Sequence, residues 1–111
     1  MIRHVVMWKL LDPTDAPRFK ALLDSCMGLV PGMLEFEVAI RSPALDANVD
    51  VLLVSGFVDT AALDAYQNHP QHQAVSSQLG PLRETRSVLD HEVCAAHAQA
   101  HTRTRTQAPT I

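Results

Sequence analysis

The spacing of apolar residues changes along the chain, and each change predicts a new element. Residues 2–10 (IRHVVMWKL) are rich in β-branched and aromatic types, which favours a first strand that ends at Asp12 and Pro13. A helix is predicted next, because apolar residues then recur at steps of three and four. Pro31 and Gly32 are expected to end this helix. Its apolar face comprises Phe19, Leu22, Leu23, Cys26, Met27 and Val30.

Three further segments have the pattern of β-strands. Residues 34–40 alternate apolar with polar positions, which is typical of a strand with one buried face. Residues 49–58 (VDVLLVSGFV) form a nearly continuous apolar run and predict a third strand, and residues 87–93 (SVLDHEV) predict a fourth. The chain therefore contains four predicted strands.

Two short helices are predicted between the third and fourth strands. Asp59 or Thr60 can cap the first of them, because a side-chain oxygen there accepts a hydrogen bond from a free backbone N–H. Proline is favoured at the first helical position, where its missing N–H would be unpaired anyway, so Pro70 predicts His69 as the cap of the second helix. The apolar face of that helix comprises Val75, Leu79 and Leu82.

The element order β, α, β, β, α, β predicts an α+β fold, a ferredoxin-like subunit with a four-stranded antiparallel sheet in the order 4, 1, 3, 2. The central strands, residues 2–10 and 49–58, are apolar on both faces. Helices cover only one face, so the other would expose an apolar patch unless a second copy covered it. We therefore expect a homodimer through this sheet face. The alternative is a monomer whose C-terminal segment folds over the sheet.

The length of 111 residues indicates one domain. We expect a folded body at residues 1–94 and a mobile tail at 95–111, which has almost no large apolar residue to bury. No stretch approaches the roughly 20 apolar residues of a membrane span, and the N-terminus lacks the features of a secretory signal. A soluble, cytoplasmic protein with no membrane partner is the expectation. Cys26 and Cys94 are too few for a disulfide framework.

Charge and ligand spacing argue against nucleic acid, metals and cofactors. Residues 1–94 carry seven Lys or Arg against twelve Asp or Glu, whereas binding to a phosphate backbone depends on clustered cations. His97 and His101 have the spacing of a helical metal chelate, but their segment has no packing face. Glu35 and Glu37 share one side of a predicted strand and lack a third ligand. No nucleic-acid partner, metal or cofactor is therefore expected.

The segment YQNHPQH, residues 66–72, carries the strongest candidate chemistry. Tyrosine and histidine can move or hold a proton near neutral pH without a metal. In the first turn of a helix, the helix dipole disfavours the imidazolium form of His72 by ~0.3–1 kcal/mol and so favours a neutral base. His72 could then remove a proton from a carbon between two carbonyls, while the Tyr66 hydroxyl holds the enolate oxygen. In the other interpretation, Tyr66 is a core aromatic and His69 and His72 bond the turn backbone.

His4 shares one face of the first strand with Val6 and Trp8, so it lies either at a pocket wall or in the core with a hydrogen-bond partner. We predict Tyr66 and His72 as catalytic candidates. The predicted ligand-binding residues are His4, Val6, Trp8, Val51, Leu53 and His69.

Five segments in order resemble the stress-responsive dimeric α/β-barrel (Dabb) family: MIRHVVMWKL, VPGMLEFEV, LLVSGFVD, ALDAYQNHPQHQAV and VLDHEV. The resemblance covers residues 1–94 and implies a ferredoxin-like subunit whose sheet packs on that of a second copy to form an α/β barrel. It leaves the reaction open, because most members of the family have no established activity.

A plant polyketide cyclase of this family performs a cofactor-free intramolecular aldol condensation in a pocket between sheet and helices. The resemblance places its catalytic tyrosine and histidine on Tyr66 and His72, and a pocket histidine of its first strand on His4. A second pocket histidine falls on Val51, so the same substrate is not implied.

Two classes of function follow. The first is a small dimeric stress-response-type protein that binds an apolar or phenolic ligand in a pocket between sheet and helices, without turnover. The second is a cofactor-free enzyme, either a polyketide cyclase-like enzyme or a related monooxygenase. The enzyme requires a cavity that both the Tyr66 hydroxyl and a His72 nitrogen reach.

Overall fold

The computed structural model describes residues 1–93 and confirms the predicted order of elements. The predicted mobile tail at residues 95–111, with His97 and His101, lies outside the described residues. The elements are β1 (Ile2–Leu10), α1 (Ala16–Asp24), β2 (Met33–Ile40), β3 (Val51–Phe57), α2 (Thr60–Gln67), α3 (Pro70–Leu79) and β4 (Arg83–Glu92). Short 3₁₀ turns precede α1 and follow α3.

The four strands form one antiparallel sheet in the order β2-β3-β1-β4, which is the predicted order. β1 lies in the centre and pairs with β3 on one side and β4 on the other. The register aligns His4 with Asp90 and Trp8 with Arg86. Directly paired residues in adjacent strands point to the same face, so these four side chains share one side of the sheet.

The first helix is shorter than the apolar spacing predicted. It ends at Asp24, because the backbone N–H groups of Cys26 and Met27 donate to carbonyls three residues earlier, which tightens the last turn. Gly28 then takes a φ of 73°, a left-handed conformation that glycine adopts at little cost. The chain turns at this point, yet Cys26 and Val30 still reach the core.

The helices pack on one side of the sheet and build the core there. This helix side carries alternate residues of β1 and β3: His4, Val6, Trp8, Leu10, Val51, Leu53, Ser55 and Phe57. Phe19 of α1 is fully buried and meets Trp8 edge-on with ring centroids 5.1 Å apart. Tyr66 of α2 packs on Phe57 at 5.2 Å. Aromatic side chains therefore join the two layers.

No element within residues 1–93 covers the opposite side of the sheet, which we call the open face. Its apolar residues are Val5, Met7, Ala39, Leu52, Val54 and Leu89. Met7 is 40% exposed and Leu89 is 65% exposed in the single chain. Arg3 and Glu35 form an ion pair of 2.7 Å at one end of this face. The expectation that both faces of the central strands are apolar is confirmed.

Within residues 1–93, none of the helices is long and apolar enough to cross a membrane. The same part of the chain brings no three His, Cys, Asp or Glu side chains together as a metal site.

Candidate ligand cavity between sheet and helices

A cavity of about 270 Å³ lies between the helix side of the sheet and the helices. Strands β1, β3 and β4 contribute to its walls, together with α1 and the turn after it, α2 and α3. Its apolar walls are Val6, Trp8, Leu23, Leu53, Val75 and Leu79. Its polar groups are His4, Cys26, Tyr66, His72, Ser76, Arg83 and Arg86. A concave, partly apolar site with several convergent polar groups is the usual form of a small-molecule site.

The junction of α2 and α3 brings Tyr66 and His72 together. His69 caps α3 as predicted, because its Nδ1 accepts a hydrogen bond of 3.0 Å from the backbone N–H of Gln71, and Pro70 occupies the first turn. Because α3 begins only three residues after the end of α2, its first turn lies close to the last turn of α2. The rings of Tyr66 and His72 consequently meet at an edge, with centroids 4.7 Å apart.

His72 lines the cavity beside Tyr66. Its Nδ1 is buried and has no hydrogen-bond partner of ordinary geometry among the described residues. Burial lowers the pKa of His72 below its usual value, and the neighbouring His4 lowers it further, while the backbone carbonyl of Gln67 works in the opposite direction. The imidazole is therefore neutral at physiological pH. A neutral imidazole has one ring nitrogen that donates a hydrogen bond and one that accepts.

Tyr66 supplies the complementary donor. Its side chain is 1% exposed, and burial raises the pKa of the hydroxyl far above its ordinary value, with the Cys26 thiol beside it adding to the shift. Burial likewise raises the pKa of the Cys26 thiol. Both groups keep their protons at neutral pH. The cavity thus offers a tyrosine donor next to a neutral histidine.

His4 is held in place from the last strand. Its side chain is only 2% exposed, and its Nδ1 lies 2.5 Å from a carboxylate oxygen of Asp90, the residue directly opposite on β4. An ionised carboxylate only accepts hydrogen bonds, so the proton of this contact lies on Nδ1. His4 also belongs to the lining of the cavity. His4 is therefore both oriented and a lining residue.

The structure brings six of the predicted site residues together and leaves two elsewhere. Those at the cavity are His4, Val6, Trp8, Leu53, Tyr66 and His72. Val51 faces the same side but is buried in the core, 1% exposed and outside the lining. His69 is occupied as the cap of α3 and does not line the cavity. The resemblance and the shared face of β3 both suggest Val51 as a lining residue. Val51 is the first residue of β3, however, and this position lies outside the cavity.

Several cavity residues escaped the sequence analysis. Asp90 belongs to the site only through His4, and the pairing register that joins them is not visible in the sequence. Arg83 and Arg86 fall at the start of β4, which the sequence placed several residues later. The order of the strands offered one usable signal, because it makes β1 and β4 neighbours and therefore puts the ionisable residues of β4 beside His4.

A four-stranded ferredoxin-like sheet with helices on one face and a cavity between the layers defines a class of small α+β proteins. The chain belongs to the Stress responsive A/B Barrel Domain (Dabb) family, whose model matches residues 2–93. No curated protein matches the chain.

Solved structures share the fold. A dimeric ferredoxin-like protein of unknown function from Thermobifida fusca is 19% identical with a TM-score of 0.74, over 83% of this chain and 90% of that one. A dimeric ferredoxin-like protein of unknown function from Jannaschia is 28% identical with a TM-score of 0.68, over 83% of this chain and 98% of that one. A hydroxynitrile lyase from Passiflora edulis is 18% identical with a TM-score of 0.69, over 85% and 94%.

Proposed function

We propose that this protein binds a small ligand with an apolar or phenolic body and at least one polar oxygen in the cavity between sheet and helices. The observation that carries the proposal is a partly apolar cavity lined by the neutral His72 and the protonated Tyr66, whose rings are in edge contact. A hydroxyl or carbonyl of the ligand would pair with these two groups, while its body displaces water from Trp8 and Leu53. Burial of apolar area contributes about 25 cal/mol per Å² to binding. The loss of ligand freedom on binding offsets part of this contribution.

We also propose that the protein forms a homodimer through the open face. The apolar residues of that face have no cover from residues 1–93, and contiguous apolar patches of this kind mark interaction surfaces. The relatives from Thermobifida fusca and Jannaschia, which share the fold, are described as dimeric. The cavity lies on the other side of the sheet, so dimerisation leaves it intact.

Filling the cavity from α3 should abolish binding of a phenolic probe. Ser76 is an exposed residue that lines the cavity, so Ser76→Phe can place a ring in it without disturbing the core, and we expect at least a tenfold loss of affinity for thymol. Trp8, the sole tryptophan and a cavity residue, reports binding by its fluorescence. Ser77→Phe is the matched control, because the neighbouring Ser77 is exposed and does not line the cavity. Equal thymol affinity in both variants, or no binding to the unaltered protein, would contradict the proposal.

A second candidate function is proton abstraction, and the neutral His72 in the cavity wall favours it. In this reaction His72 takes a proton from a carbon next to a carbonyl, and the C–H electron pair forms an enolate whose oxygen the Tyr66 hydroxyl holds. The enolate carbon then attacks a second carbonyl of the same molecule, and the resulting alkoxide takes the proton back from the imidazolium. No electrons are gained or lost, so no co-reactant is needed. The Passiflora edulis relative, a lyase, provides an enzyme of the same fold.

The rate of this reaction should fall at low pH, where His72 becomes protonated. The base is active only when neutral, and the lowered pKa of His72 keeps it neutral as pH falls from 8 through the usual imidazole value. Enzyme-dependent exchange of the benzylic protons of phenylacetone into D₂O, followed by NMR, should therefore decline only below about pH 6.5.

His72→Ala should lower that exchange rate by about 10²-fold or more, which is the usual contribution of a general base. His69→Asn is the control, because asparagine preserves the helix cap and His69 lies outside the cavity. A midpoint above the usual imidazole pKa, or equal rates in the two variants, would exclude His72 as the base.

A further inference from the structure

The Asp, Glu, Lys and Arg residues that line the cavity are all cationic. Residues 1–93 contain twelve Asp or Glu and seven Lys or Arg, so this part of the chain is acidic. Two of the seven cationic residues, Arg83 and Arg86, nevertheless line the cavity, and none of the twelve acidic residues does. The other ionisable lining groups are two histidines and the protonated Tyr66 and Cys26. An anion would meet no like charge inside this cavity.

The sheet geometry explains why both arginines lie at the mouth. Arg86 pairs with Trp8 and Arg83 pairs with Leu10, so both arginines start from the helix side of β4. β4 is an edge strand whose residues are all exposed, because the helices cover the central strands and stop short of it. The guanidinium groups therefore border the cavity with access to solvent.

Neither arginine has a carboxylate partner within residues 1–93. The ion pairs of that part of the chain involve Arg3 with Glu35, His4 with Asp90 and Lys20 with Asp24. The charge of Arg86 also acts on His72 inside the cavity, since it disfavours the imidazolium form. Arg86 therefore acts electrostatically on one of the two histidines that line the cavity.

We infer that the cavity selects organic acids: a carboxylate at the mouth engages Arg83 and Arg86, and an apolar or aromatic body extends inward against Trp8 and Leu53. This inference rests on the proposed function and names the class of ligand for the same cavity. Guanidinium groups suit this role because their planar donors match both oxygens of a carboxylate. A carboxylate at the rim also keeps part of its hydration, so its desolvation cost stays small compared with that of a buried ion.

The ring and side chain of cinnamate fit this arrangement, and cinnamamide has nearly the same shape without the charge. Calorimetric titration of the unaltered protein should show at least tenfold tighter binding of cinnamate than of cinnamamide. Arg86→Gln and Arg83→Gln should each weaken cinnamate binding several-fold and weaken cinnamamide binding much less. Raising the salt concentration should weaken only cinnamate, since partly exposed charges are screened. Arg18→Gln, at an exposed arginine of α1 outside the cavity, is the matched control and should change neither affinity.

Equal affinities for cinnamate and cinnamamide, or arginine variants that bind cinnamate as the unaltered protein does, would overturn the inference. Thymol carries no carboxylate, so the Ser76→Phe experiment tests the cavity independently of the arginines. Thymol binding that Ser76→Phe abolishes, combined with no preference for cinnamate, would reject the acid class and keep the proposed site. Absence of both thymol and cinnamate binding would reject the site as well.

Discussion

Replacing Val54 with glutamate should convert the protein from a dimer to a monomer at micromolar concentration. Val54 lies on the open face, paired with Val5 of β1 and with Glu37 of β2. A second copy packed on this face would enclose the new carboxylate, and Arg3, which borders the same hollow, is already paired with Glu35. Burial of an ion without its own partner costs several kcal/mol. The adjacent Glu37 adds repulsion between like charges. We expect the dimer dissociation constant to rise at least about 100-fold, which corresponds to about 2.7 kcal/mol.

Sedimentation equilibrium over a range of protein concentrations measures this constant directly. Met27→Glu is the matched control, because Met27 is 59% exposed and lies in the turn after α1, away from the open face. Circular dichroism of both variants checks that the sheet is retained. A Val54→Glu protein that dimerises as tightly as the control would place the interface elsewhere, and a monomeric unaltered protein would reject the dimer.

Truncating Phe19 should cause the largest loss of folding stability among single substitutions in α1. Phe19 is fully buried between α1 and the sheet, in edge contact with Trp8. Phe→Ala changes in protein cores typically cost about 3–5 kcal/mol, because they remove apolar contacts and leave a void. Small domains have a total stability of about 5–15 kcal/mol, so this single change consumes a large part of it.

Urea unfolding monitored by circular dichroism gives the free energy of unfolding. Phe19→Leu serves as the comparison, since it keeps most of the apolar volume and should cost markedly less than the alanine variant. Leu22→Ala provides a second reference on the same helix, at a partly buried position that packs against the core from its edge. A loss below about 1 kcal/mol for Phe19→Ala would mean that the layers are held together elsewhere.

Most of the fold follows from local patterns because the strands differ sharply in how they are buried. The nearly continuous apolar run at residues 49–58 and the first strand, which has apolar residues on both faces, mark the central pair. The alternation in residues 34–40 marks an edge strand. The end of α1 could not be predicted in this way. Apolar residues continue at helical spacing through Val30, and the turn depends on backbone geometry at Gly28, which hydrophobic spacing does not describe.

The part of the candidate site within residues 66–72 could be predicted, because the reactive side chains and the signal for the start of a helix lie in the same short segment. Pro70 fixes the start of α3, and from that start follow the cap at His69 and the position of His72 over Tyr66. The contributions of β4 depend instead on the register between two strands that lie far apart in the sequence, as the separation of 86 residues between His4 and Asp90 illustrates. His4 meets Asp90 because of that register, and no short motif encodes it.

Alternate residues of the first strand lie on opposite faces of the sheet, and the two faces serve different purposes. Val6 and Trp8 line the cavity, whereas Val5 and Met7 belong to the open face. Substitutions at even positions can therefore change what the cavity accepts during evolution, and odd positions can keep the surface of the sheet unaltered. The insertion or deletion of a single residue within this strand would exchange the two sets at once, so this short stretch should tolerate point substitutions far better than changes in length.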